Sequence, residues 1–158
     1  MTSSPSSSPL RLGIAGLGTV GAGVITLLRA NADLLSARAG RPLEVVAVSA
    51  RERTRDRGVD VSALRWYDNA TDLVNDPDVD VVVELIGGAE GTARALVEAA
   101  LAAGKPVVTA NKALLALHGS TLARLSADNN APLLFEAAVA GGIPHQVLHC
   151  MLFTIATL

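Results

Sequence analysis

The feature that most constrains this chain is a glycine-rich turn placed between a short apolar strand and a helix. Residues 10–15 are mostly apolar, residues 16–21 read Gly-Leu-Gly-Thr-Val-Gly, and a helical apolar pattern runs from Val20 to about Leu35. A Gly-x-Gly-x-x-Gly turn in this strand–turn–helix context is typical of dinucleotide-binding domains. Because the chain contains 14 glycines, an ordinary turn between a strand and a helix remains the alternative interpretation.

Each glycine of the turn has an expected role in holding a dinucleotide. Gly16 makes the tight turn, Gly18 lets the backbone approach a pyrophosphate, and Gly21 lets the helix pack closely on the strand. The unpaired N–H groups at the start of the helix, together with the helix dipole, then favour the negative phosphates. The predicted cofactor contacts of the turn are Gly16, Leu17, Gly18, Thr19, Val20 and Gly21.

The composition favours one α/β domain and excludes two classes of partner. Of the 158 residues, 50% are hydrophobic and only 3% are aromatic, so aliphatic side chains must form the core. Such a core suits a buried parallel sheet covered by helices. The formal charge of −2 gives no electrostatic basis for binding nucleic acid or a membrane, and no apolar run is long enough to span one. The single cysteine, Cys150, fits a reducing cytoplasm.

Strand and helix patterns alternate along the rest of the chain. This alternation predicts a Rossmann-type open parallel sheet with helices on both faces, in a single α/β domain. We divide the chain into a disordered leader (1–9), an NAD(P)-binding domain (10–144) and an apolar tail (145–158). Residues 51–66 are charged and irregular, and no element is assigned to them. The further predicted strands cover 43–49, 79–86, 106–109 and 132–136, and the further helices cover 69–74, 91–103 and 118–130.

Unusual residues follow the strands at the points where they end. Glycine pairs, a lysine and a carboxylate occupy these positions, namely Gly16 to Gly18, Ser49 to Arg51, Gly87-Gly88, Asn111-Lys112 and Glu136 to Gly142. In an open parallel sheet, the carboxyl ends of the strands share one edge, and ligands bind in the crevice there. The sequence therefore predicts a ligand site at this edge.

The residues after the second strand favour NADP over NAD. An acidic residue there accepts the ribose 2′-hydroxyl of NAD, whereas an arginine suits the 2′-phosphate of NADP. The strand is followed by Arg51, and Arg53 and Arg55 come soon after. Arg51 is the predicted contact, while Glu52 keeps NAD open as the cofactor. A solvated loop whose arginines contact no ligand is the alternative interpretation.

Four motifs in this order resemble the amino-terminal part of homoserine dehydrogenase. They are Gly-Leu-Gly-Thr-Val-Gly (16–21), Val-Val-Glu-Leu-Ile-Gly-Gly (82–88), Val-Val-Thr-Ala-Asn-Lys-Ala-Leu-Leu-Ala (107–116) and Phe-Glu-Ala-Ala-Val-Ala-Gly-Gly-Ile-Pro (135–144). The resemblance covers Leu10 to Pro144. It implies an enzyme that interconverts aspartate semialdehyde and homoserine with a nicotinamide cofactor, on the route to threonine, methionine and isoleucine. It also implies a homo-oligomer.

The resemblance implies roles for residues outside the glycine-rich turn. Gly87 and Gly88 would pass near the nicotinamide. Lys112 would be the active-site lysine beside the nicotinamide and the reacting carbonyl, where its ammonium can polarise the aldehyde oxygen or protonate it. The alternative interpretation of Lys112 is an ordinary lysine at the start of a helix.

The resemblance also implies a cation site. A monovalent cation such as sodium would be bound by Glu136 and by the backbone carbonyls of Val139, Gly141 and Ile143. The alternative interpretation of Glu136 is a glutamate that caps a turn.

The resemblance ends after Pro144, where the family continues into a substrate-binding and dimerisation region. Residues 145–158 instead form an apolar tail, so we expect a truncated polypeptide that binds the cofactor and is inactive alone. Two other functions stay open. One is another NAD(P)-dependent dehydrogenase of the same fold, acting on aspartate or on sugars, and the other is a non-catalytic nucleotide-sensing module.

Overall fold

The structure, a computed structural model, describes residues 8–135. Strands alternate with helical segments as the sequence patterns predict, except that the second and third strands follow one another without a helix between them. The strands are β1 (Leu10–Ala15), β2 (Leu43–Ser49), β3 (Arg65–Tyr67), β4 (Val81–Glu84), β5 (Val107–Thr109) and β6 (Leu133–Phe135). The helices are α1 (Thr19–Ala30), α2 (Ala32–Ala39), α3 (Asp72–Asn75), α4 (Thr92–Ala102) and α5 (Lys112–Asn129).

All six strands lie in one parallel sheet, in the order β3-β2-β1-β4-β5-β6. The central strand β1 pairs with β2 on one side and with β4 on the other, so that Ile14 is the partner of both Val48 and Val83. The direction in which the chain adds strands therefore reverses beside β1. Such a switch point opens a crevice at the carboxyl ends of the strands. The topology confirms the predicted Rossmann-type open sheet.

Both faces of the sheet are buried, which explains why its central strands are almost continuously apolar. Side chains of one strand alternate between the faces. Val81 and Val83 belong to the core beneath α1, whereas Val82 belongs to the core beneath α4 and α5. Each face is covered mainly by aliphatic side chains, with Ile25 of α1 and Leu96 of α4 fully buried.

Three elements differ from the sequence predictions. The last helix begins at Lys112 rather than at His118, because the side chain of Asn111 accepts a hydrogen bond from the N–H of Leu114 and caps the helix more than one and a half turns earlier. Strand β3 lies within the segment that received no assignment. The first helical region is divided at Asn31 into α1 and α2.

An ion-pair network fastens the amino-terminal edge of the sheet. The Arg11 guanidinium donates to both carboxylate oxygens of Asp80, at 3.0 and 2.8 Å, and to Asp78 at 2.7 Å. Arg65 pairs with Asp78 at 2.7 Å and with the buried Asp76 at 3.3 Å. The network therefore joins the starts of β1 and β3 to the turn that precedes β4. Within residues 8–135, no helix is both long and apolar enough to cross a bilayer.

Candidate functional site

The glycine-rich turn brings backbone unusually close to backbone at two of its three glycines. A Cβ atom on Gly16 would lie 2.5 Å from the carbonyl oxygen of Leu85, and Gly16 adopts a φ of +98°. A Cβ atom on Gly21 would lie 2.0 Å from the carbonyl oxygen of Gly16. Neither position can hold a side chain unless the backbone moves, so the helix and the turn are in contact because these residues are glycines.

The third glycine faces open space at the start of α1. No heavy atom lies within 4 Å of a Cβ atom built on Gly18, which is the N-cap residue of the helix. No side chain caps this end, and no acidic residue lies in the first turn, where Thr19 and Val20 are exposed. The helix therefore presents N–H groups and the positive end of its dipole with no capping side chain and no acidic residue in its own first turn, which suits a phosphate group.

A cleft of about 620 Å³ lies at the carboxyl ends of β1, β2 and β4. Three of the residues predicted in the glycine-rich turn and the predicted Arg51 line this one cleft. Its volume is within the range of small-molecule sites. The residues that line it include Gly16, Leu17, Gly18, Arg51, Glu52 and Arg55.

The loop after β2 is fastened to the glycine-rich turn by Arg57. Its Nε donates to the carbonyl oxygen of Leu17 at 3.2 Å, and its guanidinium also donates to the carbonyls of Glu52 and Arg55. The guanidinium carbon lies 5.2 Å from the centre of the Trp66 ring, a cation–π distance. Arg57 is thus engaged by the protein, whereas Arg51 and Arg55 are exposed side chains that line the cleft.

The loop after β4 carries the predicted Gly87 and Gly88. Both residues are exposed and have φ near +80°, at +82° and +79°. Lys112 is exposed at the first position of α5, at the same edge of the sheet. Gly87, Gly88 and Lys112 do not line the cleft that contains Gly18. The residue directly before the two glycines, Ile86, does line it. Their contact with a cofactor therefore stays a prediction.

A buried polar network connects this loop to the start of α5. Glu84, the last residue of β4, is fully buried and accepts hydrogen bonds from the N–H groups of Ile86 at 2.8 Å and Gly87 at 3.2 Å. Its other carboxylate oxygen accepts a hydrogen bond from the Thr109 hydroxyl at 2.5 Å. The Asn111 side chain donates to the carbonyl of Gly88 at 2.6 Å.

Sequence reasoning did not assign a site role to Glu84, Thr109, Asn111 or Arg57. For two of them, Glu84 and Asn111, the sequence contains a feature that could have indicated the role. Glu84 is a carboxylate at the end of an apolar run that must be buried, and Asn111 is a favoured N-cap residue. The role of Arg57 depends on contacts between distant parts of the chain, so no local pattern indicates it.

The predicted cation site lies outside the described residues. This holds for Glu136, Val139, Gly141 and Ile143, and also for the tail at 145–158. Among residues 8–135, no group of histidine, cysteine, aspartate and glutamate side chains is arranged to hold a metal ion.

Comparison with known proteins identifies similar chains. The family model described as homoserine dehydrogenase, NAD binding domain, matches residues 16–136. The homoserine dehydrogenase of Bacillus subtilis is 43% identical over 135 residues, which are 85% of this chain and 31% of that protein. The homoserine dehydrogenase of Corynebacterium glutamicum is 46% identical over 138 residues, which are 87% of this chain and 30% of that protein. The chain thus spans less than a third of the length of these relatives.

Solved structures agree with this match. The homoserine dehydrogenase of Thiobacillus denitrificans superposes with a TM-score of 0.80 at 45% identity, covering 89% of this chain and 32% of that one. A hyperthermophilic archaeal homoserine dehydrogenase, solved in complex with NADPH, superposes with a TM-score of 0.67 at 23% identity. It covers 84% of this chain and 45% of the archaeal one, and at this identity it supports the fold alone.

Proposed function

The chain belongs to the homoserine dehydrogenase family, whose NAD-binding domain it carries, and we propose that it binds NADP in the cleft beside Gly18. The family assigns a nicotinamide cofactor to this domain. The observation that carries the choice of NADP is the placement of two exposed arginines, Arg51 and Arg55, in the same cleft as the open glycine-rich turn.

The charges of the cleft favour a cofactor with an additional phosphate. Strand β2 ends in Ser49, and the first charged residue after it is Arg51, so an arginine precedes the nearest carboxylate, Glu52, in the segment proposed to contact the ribose. Arginine suits a phosphate because its planar guanidinium donates two parallel hydrogen bonds to the oxygens. Glu52 also lines the cleft and favours NAD, so the preference depends on which side chain reaches the ribose.

Replacement of Arg51 by alanine tests the choice of cofactor. One hydrogen bond to a charged group contributes about 1.5–3 kcal/mol, so Arg51→Ala should weaken NADPH binding by about ten- to hundredfold and NADH binding by much less. Calorimetric titration with each cofactor measures both affinities. Arg53→Ala is the matched control, because Arg53 lies in the same loop but lines a neighbouring pocket. Equal losses for NADPH and NADH with Arg51→Ala would remove the assignment.

The proposed reaction is the reduction of aspartate semialdehyde to homoserine, and its reverse. When bound, the reduced cofactor supplies the hydride that adds to the aldehyde carbon. Lys112 is proposed to hold its ammonium group at the aldehyde oxygen, where it stabilises the developing negative charge and donates a proton. Its support is its place at the start of α5, on the ligand edge of the sheet, together with the family resemblance.

The remaining parts of the proposal depend on the resemblance alone. They are a monovalent cation at Glu136 and assembly into a homo-oligomer. A place in the cytoplasm is proposed separately, from the single cysteine of the sequence. The dependence of thermal stability on sodium concentration, with lithium as the comparison, tests the cation. A midpoint of unfolding that is identical in both salts over the whole range would contradict it.

A further inference from the structure

A continuous line of hydrogen bonds runs from the end of β4 to the first turn of α5. The buried carboxylate of Glu84 accepts from the Thr109 hydroxyl, and the Thr109 oxygen in turn accepts from the backbone N–H of Asn111 at 3.0 Å. The Asn111 side chain then donates to the Gly88 carbonyl and accepts from the N–H of Leu114 at 3.1 Å. Glu84, Thr109 and Asn111 are 0%, 0% and 6% exposed.

The pattern of donors and acceptors allows only one orientation of the Asn111 amide. The Gly88 carbonyl can only accept a hydrogen bond and the Leu114 N–H can only donate one, so the side-chain nitrogen must face Gly88 and the oxygen must face Leu114. The reversed amide would place like groups against each other at both ends. Asn111 is therefore the one side chain in this line that touches both the loop after β4 and the helix that begins with Lys112.

We propose that Asn111 is a positioning residue that fixes Gly88 against the first turn of α5, so that the nicotinamide end of the cleft is assembled before the cofactor binds. The inference depends on the proposed function, which puts Lys112 at the reacting aldehyde, and on the family resemblance, which implies that Gly87 and Gly88 pass near the nicotinamide. Asn111 itself contacts neither the cofactor nor the substrate in this account. It acts because the loop it holds carries two consecutive glycines, whose conformational freedom would otherwise have to be restricted at the moment of binding.

A second link between the same two segments is weaker and farther from the cleft. Glu90, beyond Gly88 in the loop, lies 2.6 Å from the Nε2 of His118, one and a half turns into α5. The Glu90 side chain is 63% exposed, and ion pairs at such exposure contribute little. The buried link through Asn111 is therefore the one that holds Gly88.

The test replaces Asn111 by serine and compares two ligands that share one half. Serine remains a good N-cap residue, so α5 keeps its cap, whereas no donor then reaches the Gly88 carbonyl. We expect Asn111→Ser to weaken binding of NADPH by about five- to tenfold in calorimetry. Binding of adenosine 2′,5′-bisphosphate, which lacks the nicotinamide half, should change less than about twofold.

The control makes the same substitution at the other end of the same helix. Asn129 is exposed and donates to the Leu125 carbonyl at 2.9 Å, about 25 Å along the helix from Asn111. Asn129→Ser should leave both affinities unchanged. An equal loss for both ligands with Asn111→Ser would show general damage to the domain and would overturn the positioning role, as would an unchanged affinity for NADPH.

A measurement without ligand keeps the inference separate from the proposed function. In the ligand-free protein, amide hydrogen exchange at residues 86–88 should be at least about fivefold faster in Asn111→Ser than in the parent, and unchanged in Asn129→Ser. Unchanged exchange at this loop would overturn the inference even if the parent binds NADPH. If the parent binds neither ligand, the proposed function fails, while the exchange measurement still decides whether Asn111 holds the loop.

Discussion

The three glycines of the glycine-rich turn fall into two cases. Gly16 and Gly21 are places where backbone meets backbone, and Gly18 is a place where nothing meets it. The sequence spacing predicts all three, because the motif fixes which glycine faces the strand and which faces the ligand. The spacing could not show that the close contact of Gly16 is with Leu85, since that residue directly follows β4 and its position depends on the order of the strands.

Gly21→Ala should separate α1 from the glycine-rich turn. The new methyl group would lie 2.0 Å from a backbone oxygen, which cannot rotate away, so we expect a loss of about 1–3 kcal/mol in the free energy of unfolding. NADPH should also bind more weakly, since the first turn of the helix moves. Urea titration followed by circular dichroism measures the stability.

The control for this substitution is Gly119→Ala in α5. No heavy atom lies within 4 Å of the added Cβ atom, and alanine favours helix over glycine by about 0.5–1 kcal/mol, so this variant should be as stable as the parent or more stable. If Gly21→Ala unfolded at the same urea concentration as Gly119→Ala, the close contact at Gly21 would not constrain the fold.

Strands and helices that depend on their own local sequence were predicted, whereas those that depend on contacts with distant residues were not. The strands β1, β2 and β4 follow from apolar runs, and α4 follows from its periodicity and from Gly104 after its end. Strand β3 has only three residues, Arg-Trp-Tyr, and it is held in the sheet through Arg65 and its two aspartates, which lie more than ten residues away. A window of sequence around β3 does not contain that information.

The ion pairs at the amino-terminal edge should make stability depend on pH in the acid range. Hydrogen bonding to Arg65 lowers the pKa of Asp78, and hydrogen bonding to Arg11 lowers the pKa of Asp80. Because both pKa values are lower in the folded than in the unfolded state, the contribution is complete above about pH 4 and is lost as the pH falls through the lowered values.

The acid dependence is measured as the free energy of unfolding in urea between about pH 7 and pH 2.5. Asp80→Asn should lower stability by about 1 kcal/mol at neutral pH, the upper range for a partly exposed pair, and should flatten the decline in acid. Asp128→Asn, at an exposed position of α5, should leave the curve unchanged. A curve for Asp80→Asn that is parallel to that of the parent would show that this pair does not cause the decline.

The whole molecule divides its two edges between two tasks. The amino-terminal edge carries the ion pairs that hold β1, β3 and β4 together, and the carboxyl-terminal edge carries the cleft, the exposed arginines and Lys112. Alternation of strands and helices was sufficient to predict that the site residues share one edge, because parallel strands must end at a common edge, but it did not predict the ion pairs at the opposite edge. The attachment of the loop after β2 to the glycine-rich turn by Arg57 was not predictable, because it consists of hydrogen bonds from a side chain to backbone that is distant in sequence.

The 158 residues alone are expected to bind cofactor without turning over homoserine. They span less than a third of the relatives, and orientation of both reactants can account for about 7–11 kcal/mol of a barrier. Joining residues 1–135 to the part of the Bacillus subtilis relative that follows its matched region should give NADP-dependent oxidation of homoserine, measured at 340 nm. In that chimera, Lys112→Ala should lower kcat by about 100- to 10,000-fold.

Arg124→Ala, at an exposed position farther along α5, is the control and should leave kcat unchanged. Turnover by the 158 residues alone would contradict the first expectation. An undiminished kcat for Lys112→Ala would remove the lysine from the reaction.

The hydrogen bonds of Arg57 hold the loop after β2 in a way that matters for engineering the cofactor preference. The three hydrogen bonds all go to backbone carbonyls, those of Leu17, Glu52 and Arg55, so they do not depend on which side chains occupy positions 51–55. Libraries randomised at Arg51, Glu52 and Arg55 should therefore change the side chains proposed to contact the ribose while the main chain of the loop stays in place. A domain of this kind offers interchangeable specificity on a fixed scaffold, provided that Arg57 is left untouched.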